Sequence, residues 1–545
     1  MADIDRLSSL PDSALHLILC CLPLDLAVRT SLLSKRWHYL WTSIFRIDLD
    51  ENYFTQNRTR KDFLEANMGW LASGIKSTGQ KRLVEFGRKF LASYPNNEIE
   101  SLRICMSDCL TKYRDDVNEW IRFAVDKKVR DLDLSFFDGS KLGNMPYQDV
   151  AAYELPPFIY QHKHIRSLKL TATVFRPRSF TDFTSLRSLS ISWIKITQEL
   201  LDILFENCKA LDAFTMEKCS CLQPTKFYAE NNRLSSLSFE DCLILDNALS
   251  ISLPILRSFK FYGTMTFMTL EYLSALLDAE LDFTLEDEFR PVAHHMSQML
   301  INLKSARALT LCTYTIQVLP PAYQPFHLFK QPLNLKYLML KTALHRNELP
   351  GIAYLVRSYP KLNTITLVMQ PTHALTGYQC PYSPVADGEN FWGLQEIPFM
   401  CFQEYLRVVK VENFRGSKNE IELLRYFLKE ARSLHKVILR TAKNGQPSIG
   451  TSDVYAAAAQ EVQSFEKKSN MNLFKVLFPS KINENRRSKS PPSFSATNEF
   501  PKPIVPIDDF AAHGHIDAPT PPPEALADTT PMKSPDPSKE FRTSN

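Results

Sequence analysis

The feature that most limits what this chain can fold into is a short motif, apolar-x-x-apolar-x-apolar, that returns along its middle. It reads Ile99/Leu102/Ile104, Val129/Leu132/Leu134, Ile165/Leu168/Leu170, Leu186/Leu189/Ile191, Leu211/Phe214/Met216, Leu234/Leu237/Phe239 and Leu256/Phe259/Phe261. Fainter copies stand at Leu281/Phe283, Ala306/Leu309/Leu311, Leu335/Leu338/Leu340 and Leu362/Ile365/Leu367. Between positions 165, 186, 211, 234 and 256 the steps are 21, 25, 23 and 22 residues. That period is too short for successive βαβ units, which take about thirty residues or more, and it lies in the leucine-rich-repeat range. Each repeat is a strand plus a return segment, so stacking aligns the anchors into one core and the strands into one parallel sheet. The expected class is α/β: a solenoid with parallel strands on its concave face and helices on its convex face.

Helical patterns sit between the anchors, as in Leu200-Leu-Asp-Ile-Leu-Phe205. The clearest runs from Asp115 to Val125, with Val117, Trp120, Ile121 and Ala124 on one face. Cys219 and Cys242 each fall three residues after a last anchor (Met216 and Phe239), at the Asn/Cys position of the repeat. A small side chain there turns inward and packs or hydrogen-bonds along the stack, so these cysteines read as structural.

The first forty residues have another character. Leu15, Ile18, Leu19 and Leu22 repeat at helical spacing, and Asp12, after Pro11, is placed to cap that helix. Pro23 ends it and Asp25 can cap a second. Ser34 can cap a third, with Trp37, Leu40 and Trp41 sharing a face. Leu17, Cys20 and Cys21 put apolar groups on the other side of the first helix. A unit of about forty residues cannot bury all of this within itself, so a partner covers it, either the following domain or another protein.

The run Asp5-Arg-Leu-Ser-Ser-Leu-Pro-Asp12, then Ile18-Leu-x-x-Leu-Pro23, Ala27-Val-x-Thr-Ser31, Leu33-Ser-Lys-Arg-Trp37 and Leu40-Trp41 resembles an F-box. More narrowly it resembles the F-box of the plant family in which leucine-rich repeats follow and an FBD region closes the fold. Phe414-Arg-Gly416, Glu420-x-Glu-Leu423, Tyr426-Phe-Leu428, Ala431 and Leu434-x-Lys-Val437 are similar to that FBD region, which would cap the solenoid. Asn419 can cap its helix. The resemblance implies a three-helix F-box that docks on a Skp-type adaptor and, through it, on a cullin. Leu10, Pro11, Leu15, Ile18, Leu22, Pro23, Leu33, Ser34, Trp37 and Trp41 would carry that contact.

The expected organisation is F-box at 5–45, a connecting region at 46–98 and repeats at 99–370. A long loop at 371–400, an FBD-like cap at 401–441 and a linker with a short helix at 442–478 follow. From Pro479 onward 13 of 67 residues are proline, among Ser, Thr, Lys and Asp, which is a disordered composition. A net charge of +4 over 545 residues gives no case for nucleic acid or a membrane surface. No apolar run is long enough to span a bilayer. Eleven mostly isolated cysteines fit the cytoplasm or nucleus and include no paired zinc knuckle, so neither metal nor cofactor is expected. No phosphate loop or nucleophile elbow is visible, and His294-His295 lacks ligand spacing.

The expectation is a non-catalytic subunit that recruits a protein substrate to a Skp–cullin–F-box ubiquitin ligase. The alternatives are a sensor of a small ligand or anion on the repeat face, and an F-box scaffold that supports no ubiquitin transfer. The residue after each first anchor reads Arg166, Arg187, Asp212, Ser235, Arg257 down consecutive repeats. With Lys169 on the same face, these arginines form the candidate substrate face, suited to an acidic or phosphorylated segment.

Overall fold

Among the described residues, fifteen short strands join in strict chain order into one sheet, every neighbouring pair parallel. They are β1 Arg46–Asp50, β2 Ser101–Cys105, β3 Asp131–Ser135, β4 Ser167–Thr171, β5 Ser188–Ser192, β6 Ala213–Glu217, β7 Ser236–Glu240 and β8 Ser258–Gly263. The rest are β9 Asp278–Phe283, β10 Ala308–Leu311, β11 Tyr337–Thr342, β12 Thr364–Met369, β13 Val408–Phe414, β14 Lys436–Thr441 and β15 Leu473–Leu477. The structure is a computed structural model. It describes residues 7, 9–54, 69–95, 97–107, 112–137, 153–174, 183–221, 223–228, 233–245, 249–284, 292–319, 335–371, 391–393, 395, 398–442, 452–469, 471 and 473–478. The proline-rich stretch from 479 and most of the long loop at 371–400 lie outside them.

The register explains the motif. Leu168 stands opposite Leu189, Leu189 opposite Phe214, Phe214 opposite Leu237 and Leu237 opposite Phe259. All five are at most 1% exposed. Truncating any of them to Ala would cost about 2–5 kcal/mol. Behind the sheet an aromatic column runs Phe214, Phe227, Phe239, Phe261, Phe283, Tyr314, with successive ring centroids 5.4–6.4 Å apart.

Each central strand ends in the same backbone device. Ala172, Trp193, Lys218 and Asp241, one residue past β4 to β7, have φ between 49° and 60°. A left-handed residue with a side chain costs roughly 1–2 kcal/mol. Here its amide stays in the ladder, donating to Ser192 O, Glu217 O, Glu240 O and Tyr262 O at 2.7–3.1 Å. The turn sends the next residue inward. Cys219 Sγ donates to Ile191 O, and Cys242 Sγ to Met216 O, each at 3.4 Å, the structural role read from the spacing.

The helix expected over Asp115–Val125 is present as Arg114–Asp126 and buries Val117, Trp120, Ile121 and Ala124. Other helices line the convex side at Gln198–Asn207, Ala293–Asn302 and Leu349–Ser358. In three central repeats the return is instead a short strand: Thr225–Tyr228, Leu249–Ser252 and Met268–Glu271 form a second parallel sheet.

Several expectations need correction. The eighth copy is Leu276/Ala279/Leu281, not Leu281/Phe283, because Ala279 pairs with Phe259 and Leu281 with Phe261. The sheet starts inside the expected connecting region, with Ile47 opposite Leu102. It also runs past 441: β15 pairs with β14, and the helix Ser452–Ser464 tucks Val462 into the core. The third N-terminal helix is turns over 34–39 followed by a 3₁₀ segment, Leu40–Ser43. Pro11 and Pro23 occupy the first two caps, while Asp12 pairs with Arg36 at 2.6 Å and Asp25 with Arg29 at 3.7 Å.

Asn419 is no cap either. The helix Lys418–Glu430 starts from Ser417, whose Oγ accepts from the Glu420 amide and donates to Glu420 Oε1. Glu420, only 2% exposed, also accepts from the Arg415 and Gly416 amides at 2.9 and 3.0 Å. Gly416 has φ +74°, and a Cβ there would lie 2.3 Å from Ala458 Cβ, so neither its backbone nor its space admits a side chain. Ser417→Ala should cost about 1 kcal/mol as a lost cap. Glu420→Ala should cost about 2–4 kcal/mol, because it strands several buried donors at once. Urea unfolding of the two variants checks that order, and equal losses would contradict it.

Candidate functional site

The N-terminal unit buries some of its motif residues and presents others. Leu15, Leu19, Leu24, Ala27 and Trp37 form its interior and join the main core through Ile44 and Ile47. Leu10, Ile18, Leu22 and Trp41 pack half-buried around them, Pro23 and Ser34 are also half-buried, and Pro11 is exposed. Arg36 holds the unit closed by donating to Leu10 O as well as to Asp12. Leu33 lies open, 66% exposed, beside Leu32 at 85%. Of 19 large hydrophobic residues exposed among the described ones, six fall here: Leu7, Leu17, Leu26, Leu32, Leu33 and Tyr39. Two of the ten motif residues, Leu15 and Trp37, are thus interior. Leu32 and Tyr39 escaped sequence reasoning, although their apolar type in a unit too small to bury them was the available signal.

Strand residues that alternate with the inward anchors make the concave face, and its first repeats carry a charge cluster. Arg103 Nη1 donates to Asp48 at 3.1 Å and Asp50 at 3.0 Å, and Asp133 lies 3.7 Å from its Nε. Burial pushes the Asp48 carboxyl up to about 6, with Asp50 and Asp133 adding to the rise and Arg103 opposing it. Further along, Lys341 on β11 reaches Glu280 at 2.8 Å and Asp282 at 2.5 Å on β9, across the intervening β10. Burial alone would lower that ammonium, but the two carboxylates outweigh it and the net shift is upward.

Arg166, Arg187 and Arg257 are exposed, as expected, but stand one residue ahead of β4, β5 and β8, on the leading edge of the sheet. Arg166 and Arg187 are neighbours, the Arg187 amide donating to Arg166 O at 2.8 Å. Asp212 and Ser235, hydrogen-bonded to each other, separate them from Arg257. Lys169 lies within β4, in the column of Asp133 and Ser190, so it does not share a column with Arg166. His294 and His295 are both exposed on one helix, His295 stacked on Phe267 with ring centroids 4.1 Å apart. No group of metal-ligating side chains occurs among the described residues, and no described helix is long and apolar enough to cross a membrane. Burial pushes the Cys208 and Cys221 thiols up to about 12, which keeps them protonated.

Comparison with known proteins gives two matches to family models. The At1g61320/AtMIF1-type LRR domain matches residues 91–471, more than half of the chain, and the F-box domain matches residues 7–46. Among relatives from Arabidopsis thaliana, the F-box/LRR-repeat protein At5g54820 is 29% identical, over 78% of this chain and 88% of its own length. The F-box protein At3g62230 is 26% identical, over 86% of this chain and 97% of its own. The F-box/FBD/LRR-repeat protein At4g03220 is 24% identical over 81% and 89%.

The Arg103 cluster makes a pH-dependent prediction. The folded protein holds the Asp48 proton more tightly than an unfolded chain does, so the contribution of Asp48 to stability falls as pH rises through about 4 to 6 and is level above that. Asp48→Asn removes a carboxylate that is ionised at neutral pH in a site that disfavours its charge. The variant should gain about 1 kcal/mol at pH 7, discounted because the side chain is about one-third exposed, and nothing below pH 4. Urea midpoints of both proteins across that range check the sign.

Proposed function

This chain belongs to the F-box/leucine-rich-repeat family, with repeats of the At1g61320/AtMIF1 type, and from that premise we propose that it recruits a protein substrate to a Skp–cullin–F-box ubiquitin ligase. The observation that carries the reading is the exposed apolar set on the F-box. Leu17, Leu26, Leu32, Leu33 and Tyr39 stay in water in a unit whose own interior is already filled. Covering several such side chains yields about 1.5–3 kcal/mol for each one fully buried, enough to hold a Skp-type adaptor and, through it, a cullin.

The repeats then hold a substrate near a ubiquitin-carrying enzyme bound elsewhere in the assembly. Holding two reactants together raises their effective concentration, so no reacting residue on this chain is needed. Such a subunit acts in the cytoplasm or nucleus, where cullins and their substrates meet.

The test separates contact from folding. Leu32→Ala/Leu33→Ala removes exposed groups only, so it should lower adaptor co-purification at least about tenfold while leaving the melting temperature within about 1 °C. Leu15→Ala, in the interior, should lose about 2–5 kcal/mol of stability. The half-buried and exposed pair Leu10 and Pro11, changed together to Ala, should also abolish adaptor capture. Undiminished capture by both double variants would refute the proposal.

A further inference from the structure

The leading edge of the sheet carries more than the three arginines described above. One residue ahead of each strand from β3 to β14, the backbone forms a continuous ladder: each amide donates to the equivalent carbonyl of the repeat before it at 2.7–2.9 Å from Arg166 onward. Read along that ladder, the residues are Arg130, Arg166, Arg187, Asp212, Ser235, Arg257, Leu277, Arg307, Lys336, Asn363, Arg407 and His435. Seven are permanently cationic and one is acidic. All seven cations are exposed, and none makes an ion pair within 4 Å among the described residues.

The opposite, trailing end of the same strands has the other sign in the central repeats. It places Glu217, Glu240 and Asp282 at equivalent positions on β6, β7 and β9, with Asp241 just beyond. The cations there are taken up within the protein: Lys218 by Glu217 and Lys341 by Glu280 and Asp282. The leading edge is therefore mainly positive from Arg130 onward, although Asp131 lies close enough to feel Arg130 and Arg166, and the ladder position before Arg130 is the acidic Glu100, paired with Arg46. Seven like charges on one edge repel one another, and a polyanion lying along them relieves that repulsion.

We propose that this edge binds an extended acidic segment of a protein, running across the strands from Arg130 towards Arg407. This rests on the reading of the repeats as the substrate-holding domain and supplies the class of substrate. Strands lie about 4.8 Å apart, so the ten steps from Arg130 to Arg407 span roughly 48 Å, which about fourteen residues of extended chain cover. A polypeptide suits the edge better than a nucleic acid for two reasons. Leu277 within the ladder, Ile255 beside it and Tyr405 near Arg407 are exposed apolar groups that a sugar-phosphate backbone would leave unmet. The acidic trailing end would also repel a wider polyanion such as a duplex.

The experiment uses the full chain and a fluorescent hexadecapeptide of glutamate interrupted by two leucines, with a single-stranded RNA of equal charge as competitor. The peptide should bind, and affinity should fall at least tenfold between about 50 and 500 mM salt as screening shortens. Arg166→Glu/Arg187→Glu/Arg307→Glu should lower affinity at least tenfold at low salt. Arg82→Glu/Lys89→Glu/Lys226→Glu, the same change of charge at exposed positions on the helix Gly69–Ser93 and the return strand Thr225–Tyr228, away from the edge, should lower it less than threefold. Equal losses in the two triple variants, unchanged binding by the first, or preference for the RNA would overturn the proposal. Adaptor co-purification, run on the same samples, keeps the two readings apart. Loss of adaptor binding with peptide binding intact removes the ligase reading alone, and the converse removes the acidic-segment reading alone. Melting temperatures of the variants exclude misfolding as the cause.

Discussion

Everything in this fold hangs on strands that stack in parallel without slipping. A slip of one residue would turn every inward side chain outward, and the anchors prevent it by being apolar at positions four and six of each repeat while their neighbours are polar. Irregularity is confined to the last strands, where the pairing shifts between Glu412 and Phe414. The same constraint fixes the surface. Once Leu168 and Leu170 are inward, Ser167, Lys169 and Thr171 are outward, and the residue ahead of the strand is left on the edge. Surface chemistry in this protein is therefore organised in columns, and each column draws one residue from every repeat.

Two kinds of column follow, and they differ in how their charge is settled. On the concave face carboxylates and cations meet within the protein, as Arg103 does with Asp48 and Asp50, or Lys341 with Glu280 and Asp282. These contacts tie strands together and set local stability. On the leading edge the cations make no ion pair among the described residues, and on the F-box Leu17, Leu32 and Leu33 stay exposed. Both are surfaces whose free energy is incompletely satisfied by the chain itself, at opposite levels of chemistry: one apolar, one ionic.

The repeats were legible because apolar anchors are large and evenly spaced, and the reading failed where either condition lapsed. Ala279 is too small to announce itself as an anchor, so the eighth motif was displaced by two residues onto Phe283. Strands β13 and β14 were readable as strands, but the segment after Gln370 hid that they continue the sheet, since an insertion between strands changes the count without changing the register. The sequence Arg46–Asp50 was passed over because its repeat lies alone beside the N-terminal unit. Caps were harder still: Asp12 and Ser417 are both good capping residues by type, and only the position of Pro11 and the backbone around Gly416 decided which of them serves. The F-box order was plain, yet which of its leucines are interior is a property of how turns at 34–39 fold back on the first helix. Likewise the arginine column was visible in the spacing, while its place ahead of the strands needed the hydrogen-bond ladder.

A sheet built by adding one strand after another has a last strand, and among the described residues it is Leu473–Leu477. Its side chains are half-buried or exposed throughout, unlike the alternation of the strands before it. Little apolar area is lost when it detaches, and only one ladder of hydrogen bonds breaks. Cooperativity in such an array is passed from neighbour to neighbour, so protection of the backbone amides against solvent exchange grades inward from this end. The described sheet thus has a soft edge on a firm stack: this strand opens and recloses many times for each global unfolding.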